Sequence, residues 1–148
     1  MTPRDLLDLA DELSTDDREA AWRTAAHCAY YSAFHVARNL LTQVGFGVPD
    51  ADRAHGYLWL RLQNSGHPDV VKAGRDLSDS RTIRNHADYD LALPFTAKLA
   101  TGQVARAEAI VELLELVVQS PATLARITQT TRDYERDVLR EVTWRGGP

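Results

Sequence analysis

Apolar residues along this chain recur at intervals of three and four, the period of a helix with one buried face. Leu6, Leu7, Leu9, Ala10 and Leu13 make a first stripe, with Thr2 as an N-cap and Pro3 at the first helical position. Ser14 or Thr15 restarts a helix, with Asp16, Asp17 and Glu19 in its first turn. Ala26, Ala29, Tyr30, Ala33, Phe34, Ala37, Leu40, Leu41 and Val44 carry that helix to Gly45, Gly47 and Pro49. A third helix is predicted over about 52–64, and Gly66, His67 and Pro68 interrupt the pattern after it. A short helical segment over 69–77 leads to a helix that holds or follows residues 81–90 and stops before Pro94. From about Thr96, Leu99, Val104, Ala107, Ile110, Val111, Leu114 and Val117 mark a long helix, although 111–119 taken alone is apolar enough for a strand. Ser120 and Pro121 open a last helix that weakens after about Arg140, and the RGGP end at 145–148 is expected to fray.

The expected fold class is therefore all-α, an up-and-down bundle of four to five helices. No Gly-Pro-rich linker separates two cores, so residues 1–148 read as a single domain with its core over about 14–140. The run of Ala25, Ala26, Ala29, Ser32, Ala33 and Ala37 favours close helix contact.

Charge and composition narrow the function. The formal net charge of −4 disfavours a protein that coats nucleic acid electrostatically, but not a nuclease with a local basic cleft. The lone Cys28 cannot form an internal disulfide. No apolar run reaches the roughly 18 residues of a membrane span. The acidic N-terminal stretch lacks the apolar core of a signal peptide, so a cytoplasmic location is expected, with no membrane partner. Neither a Gly-rich phosphate loop nor a paired-cysteine pattern occurs, and His27 and His35 have no carboxylate or thiolate at three or four residues' distance. No cofactor and no metal is expected.

The densest chemistry lies in RTIRNHADYD, residues 81–90. Arg81 and His86 are five residues apart, about 140° on an ideal helix, so they converge only if Arg81 occupies an irregular or first-turn position. Ser78, Asp79 and Ser80 offer caps for such a turn. Arg84 lies near Arg81 on the helix surface, and two guanidinium groups over one phosphate make sensible chemistry. On the second helix Arg23, His27, Tyr31, His35 and Arg38 fall along a polar and aromatic stripe. His27 and Tyr31 taken singly read as core-edge residues. Trp22, Trp59 and Trp144 read as packing residues, His55 as a cap or a neighbour of the site, and RDYERDVLR at 132–140 as a solvated helix face.

The string AAHCAYYSAFHVARNLL resembles the first signature of HEPN-domain proteins, and DLSDSRTIRNHADYD resembles a second signature of the small stand-alone members. The resemblance covers most of residues 20–120. It implies a HEPN-like helical bundle that commonly forms homodimers. Many such proteins are metal-independent endoribonucleases with an R-x4-6-H motif, and many act as the toxin beside a nucleotidyltransferase-family antitoxin. Carried over, it makes Arg81 and His86 the catalytic pair acting on an RNA substrate through its 2′-hydroxyl. Arg84 and Asn85 become phosphate or RNA ligands, and Tyr89 a candidate site of modification by the partner. Arg23, Tyr31, His35, Arg38 and Asp88 become structural or site-supporting residues, with Asp88 expected to bind Arg23 or Arg38. The sequence departs from the toxin pattern at Thr82, where a polar residue of another kind is usual, and at Tyr89, which follows His86 by three positions instead of two. Residues 87–89 give the A-D-Y of a related group whose catalytic motif is often missing. The alternatives are a non-cleaving helical module that binds a nucleotidyltransferase-like partner or RNA, and a structural subunit that dimerises through the long helix.

Overall fold

The computed structural model describes residues 1–146. The chain is all-α. Among the described residues are six α-helices: α1 (Pro3–Ser14), α2 (Glu19–Gln43), α3 (Arg53–Gln63), α4 (Pro68–Tyr89), α5 (Ala97–Val118) and α6 (Pro121–Tyr134), the last continued by a π-helical turn (Glu135–Leu139). The count exceeds the expected four to five although the segment expected over 69–77 and the helix after it are one, α4, because α1 and α6 are helices with their own caps. Thr2 donates its N–H and its hydroxyl to the Asp5 carboxylate at the start of α1, and Ser120 Oγ accepts from the Thr123 N–H at the start of α6. Helix α2 begins later than Ser14, at Glu19. Asp16 ties back Arg18, and the Asp16 carbonyl accepts from Trp22 Nε1 at 2.7 Å.

The apolar run at 111–119 lies in helix α5, not in a strand. Strand pairing among the described residues is confined to one isolated bridge, Phe46 to Trp144. No helix among them is long and apolar enough to cross a membrane.

The chain divides into two compact units, residues 1–35 with 76–111 and residues 36–75 with 112–148, of which 147 and 148 lie outside the described residues. Helices α2, α4 and α5 each contribute residues to both.

In the first unit, Ala25, Ala26, Ala87, Phe95 and Ala100 form a buried cluster, covered by Leu13, Trp22, Ile83 and Leu99. The alanines of α2 leave room for the last turns of α4 and the start of α5, as their spacing suggested. Some buried polar groups find partners here: Ser32 Oγ donates to the Pro3 carbonyl at 2.7 Å, and Gln103 Nε2 to the Ser80 carbonyl at 2.8 Å, while Ser80 Oγ and Gln103 Oε1 are buried without a protein partner.

The second unit is closed by its C-terminal segment. The Gly47 N–H donates to the Thr143 carbonyl, the Arg145 N–H to the Gly45 carbonyl, and Trp144 Nε1 to the Val44 carbonyl. The Arg132 guanidinium covers the Trp144 ring at 3.7 Å. Fraying from residue 145 is therefore corrected at Arg145, which is held by its backbone; Gly147 and Pro148 lie outside the described residues. Nor is the 132–140 stretch merely solvated. Glu135 is wholly buried and paired with Arg61 at 2.8 Å.

Candidate functional site

Helix α4 runs unbroken from Pro68 to Tyr89. Ser78, Asp79 and Ser80 lie inside it and cap nothing. The irregular turn that would bring Arg81 and His86 together is absent, and the two remain about 140° apart around the helix. Their surroundings differ accordingly. His86 packs edge-on to Phe95 at 5.2 Å, and its Nε2 is buried without a protein partner. The His86 carbonyl accepts from Arg23 at 3.3 Å, and its ring contributes to holding the Glu19 carboxyl below its ordinary range, an effect led by the hydrogen bond from Arg23. Arg81 is half-buried beside Tyr30, and its Nε is also buried and unpartnered.

Arg84 is the centre of a second constellation. Its side chain is 7% exposed and donates to the Tyr31 hydroxyl at 3.2 Å; the Asp88 carboxylate is 3.5 Å away, one helical turn on. The guanidinium is 5.4 Å from the rings of both Tyr30 and Tyr31 and 5.7 Å from that of Tyr89. Its Nε is buried with no protein partner. Arg81 and Arg84 both lie close enough to Tyr30 to favour ionisation of its phenol, although burial is the larger effect and pushes the phenol well above its ordinary value. Two guanidinium groups thus gather at the Tyr30–Tyr31 step of α2 with one carboxylate, Asp88, to balance them.

Asp88 binds neither Arg23 nor Arg38, the partners expected from sequence. Its Oδ2 is 2.9 Å from His27 Nδ1, and its charge adds to the burial that raises the Cys28 thiol. Arg23 instead donates to carbonyls of the α4 C-terminus and the turn beyond it. Arg38 pairs with the exposed Asp50 at 3.2 Å in the second unit. The His27 ring packs against that of Tyr31 at a tilt of 45°, with centroids 4.8 Å apart, and its side chain is 45% exposed. His35 is exposed, 6.2 Å from the Tyr31 ring and edge-on to Phe34. Asn85 is half-buried, and Tyr89 is 71% exposed. His55 is buried in α3.

Of the sequence-derived candidates, the structure gathers Tyr31, Arg84, Asp88 and Tyr89, with Arg81 beside Tyr30, and turns His86 toward Phe95. It adds His27, which sequence reasoning had treated as a core-edge residue. Its partner Asp88 is 61 positions away on another helix, and no local spacing signals such a pair. Among the described residues no group of three His, Cys, Asp or Glu side chains is placed to hold a metal ion. Comparison with known proteins gives no match to this chain among protein-family models, curated proteins or solved structures.

Proposed function

We propose that this protein is a HEPN-like, metal-independent endoribonuclease in which Arg81 and Arg84 present positive charge to the scissile phosphate. The observation that carries the reading is the imbalance at the Tyr30–Tyr31 step. Two guanidinium groups meet there, and Asp88 is the carboxylate paired with Arg84. An excess of cationic charge at one place on the helix surface favours an anion, and a phosphodiester supplies oxygens that match the guanidinium fork. The same charge would stabilise the dianionic character that builds at phosphorus in the transition state. This locates positive potential in a chain whose formal net charge is −4.

The reading includes a homodimer and a nucleotidyltransferase-family antitoxin as partners. The exposed Tyr89 phenol, next to the Arg84 guanidinium, is a suitable acceptor for an adenylyl group. Such a group would place a phosphate on the cationic site and block it. The test is incubation of the purified protein with single-stranded RNA in the presence of a chelator. Cleavage products ending in 2′,3′-cyclic phosphate are expected, and Arg81→Ala should lose about 10²–10³ in rate, as for removal of one transition-state donor. A parent protein that leaves RNA uncut sinks the reading.

A second reading, a non-cleaving interaction module, is favoured by one specific observation: the motif histidine His86 packs on Phe95 instead of converging with Arg81. Tyr89, Leu91 and Leu93 are exposed at and just after the end of α4, which suits a partner surface. RNA binding without cleavage, or co-purification with a nucleotidyltransferase-type partner by a protein that cuts nothing, is its expected result.

A further inference from the structure

We infer that His27, held by Asp88, is the imidazole that takes the proton in this reaction; the inference rests on the ribonuclease reading above. Three features converge on it. Asp88 Oδ2 engages His27 Nδ1 at 2.9 Å, which fixes the ring with its proton on Nδ1 and leaves the Nε2 lone pair as the basic site. The ring is half-exposed, so Nε2 is open to a ligand, whereas the corresponding nitrogen of His86 is buried. The carboxylate that orients His27 is also the carboxylate beside Arg84, and Tyr31 meets both, His27 through a tilted ring contact and Arg84 through a hydrogen bond. A base and the cationic phosphate site therefore share one set of neighbours on α2 and α4. His86, two residues after Arg84, points about 160° away around the helix from it.

In the step, His27 Nε2 accepts the proton of the ribose 2′-hydroxyl as the 2′-oxygen bonds to phosphorus. The bond from phosphorus to the 5′-oxygen breaks, and its electron pair stays on that oxygen, which takes a proton from a solvent water. The hydroxide so formed recovers the proton carried by His27. The products are a 2′,3′-cyclic phosphate and a 5′-hydroxyl, and no other reagent is consumed. Asp88 acts here as a positioning residue, through the tautomer and orientation of the ring.

Two measurements on the intact protein test this. His27→Ala and His86→Ala are assayed in parallel on the same RNA with chelator present. His27→Ala should lose about 10²–10⁴ in rate, the usual worth of a positioned general base, and added imidazole should restore part of it. His86→Ala should retain more activity than His27→Ala. If the parent cuts and His27→Ala cuts equally well, or if His86→Ala is the more damaged and the imidazole-rescued variant, the inference is overturned while the ribonuclease reading stands; a parent that does not cut overturns both. Nitrogen-15 spectra of the histidine rings give an independent readout. His27 should be in the Nδ1-protonated tautomer, revert to the commoner Nε2-protonated form in Asp88→Asn, and shift at Nε2 when an uncleavable 2′-deoxy oligonucleotide is added. An Nε2-protonated His27 in the parent, or a ring indifferent to the oligonucleotide, also overturns it.

Discussion

The guanidinium of Arg23, on α2, donates to the Ala87 carbonyl at 2.9 Å, across 64 positions of sequence. It also reaches the carbonyls of His86 and Asp90 and, through its other terminal nitrogen, that of Leu93. The last carbonyls of a helix have no partners within it, and a cation there also meets the negative end of the helix dipole. One side chain thus caps α4 and fastens the turn beyond it. Glu19 shares the arrangement, holding Arg23 at 2.8 Å and accepting from the Phe95 N–H. Arg23→Ala should therefore destabilise the protein by about 2–4 kcal/mol, since several charge-assisted bonds are lost and carbonyls are left bare. Arg23→Lys should recover little, because an ammonium cannot span the same set of oxygens. Urea denaturation measures both. A loss below about 0.5 kcal/mol, the range of ordinary surface changes, would mean that water replaces the guanidinium.

Two glycines in helices should respond oppositely to alanine. A Cβ at Gly74 of α4 would lie 2.9 Å from the Gln63 backbone nitrogen and from Leu62 Cβ, at the end of α3. The backbone cannot give way as a flexible side chain would. Gly74→Ala should cost about 1–3 kcal/mol of overpacking, which outweighs a propensity gain of about 1 kcal/mol. Gly102 of α5 has nothing within 4 Å of such a Cβ. Gly102→Ala should stabilise by about 0.5–1 kcal/mol. Thermal midpoints moving in the same direction for both would contradict this account.

How far the sequence revealed the fold depends on what occupies the buried positions. Along α2 they are almost all apolar, so the helix was legible through Val44. Along α4 the buried row is Val70, Ala73, Leu77, Ser80, Arg84 and Ala87, at spacings of three and four. Ser80 and Arg84 take places where an apolar side chain is the norm, and Gly74 adds a weak helix former. The period is intact, but its hydrophobic signal is broken, and residues 78–80 imitate a cap. The gathering of Arg81 and Arg84 was legible because it depends on spacing within one helix. The partners of Asp88 and Arg23 were not, because side chains on separate helices meet only through tertiary packing.

The phenols of Tyr30 and Tyr57 give the fold an alkaline limit. Burial raises both above the ordinary tyrosine value; at Tyr30 the charges of Arg81 and Arg84 oppose the rise, and at Tyr57 the bond with Thr143 does so. Below about pH 10 the phenols are protonated in folded and unfolded chains alike and add no pH dependence. Above it the unfolded chain gives up these protons first, so stability falls as pH rises toward the folded values. Urea midpoints should decline through this range, and the decline should be shallower in Tyr30→Phe. An equal slope in that variant would assign the alkaline loss to other groups.

Glu135 shows what a charge-rich sequence conceals. It lies in a stretch of mixed charges, yet it has no exposed surface, and Arg61 opposite it is 4% exposed in its side chain. The carboxylate accepts from Arg61 and from the backbone N–H groups of Thr143 and Trp144, as well as from the Thr143 hydroxyl. The Arg61 guanidinium lies 3.4 Å from the Tyr57 ring, whose hydroxyl also meets Thr143. Every oxygen of the buried anion is thus used, the condition under which a buried ion pair is tolerated. The π-helical turn at Glu135–Leu139 and the left-handed Arg140 bring the chain back over the carboxylate. Removing one partner leaves the other charge buried and alone. Glu135→Gln should therefore cost about 3–5 kcal/mol, although it changes little volume. It should also loosen residues 143–145, since two of their N–H groups lose a charged acceptor, and the Trp144 emission should shift to the red. The paired change Arg61→Leu with Glu135→Leu should cost less than Glu135→Gln alone, because no unpaired charge remains. If the double variant proves the less stable of the two, the hydrogen bonds to Thr143 and Trp144, and not the unpaired charge, are what the second unit depends on.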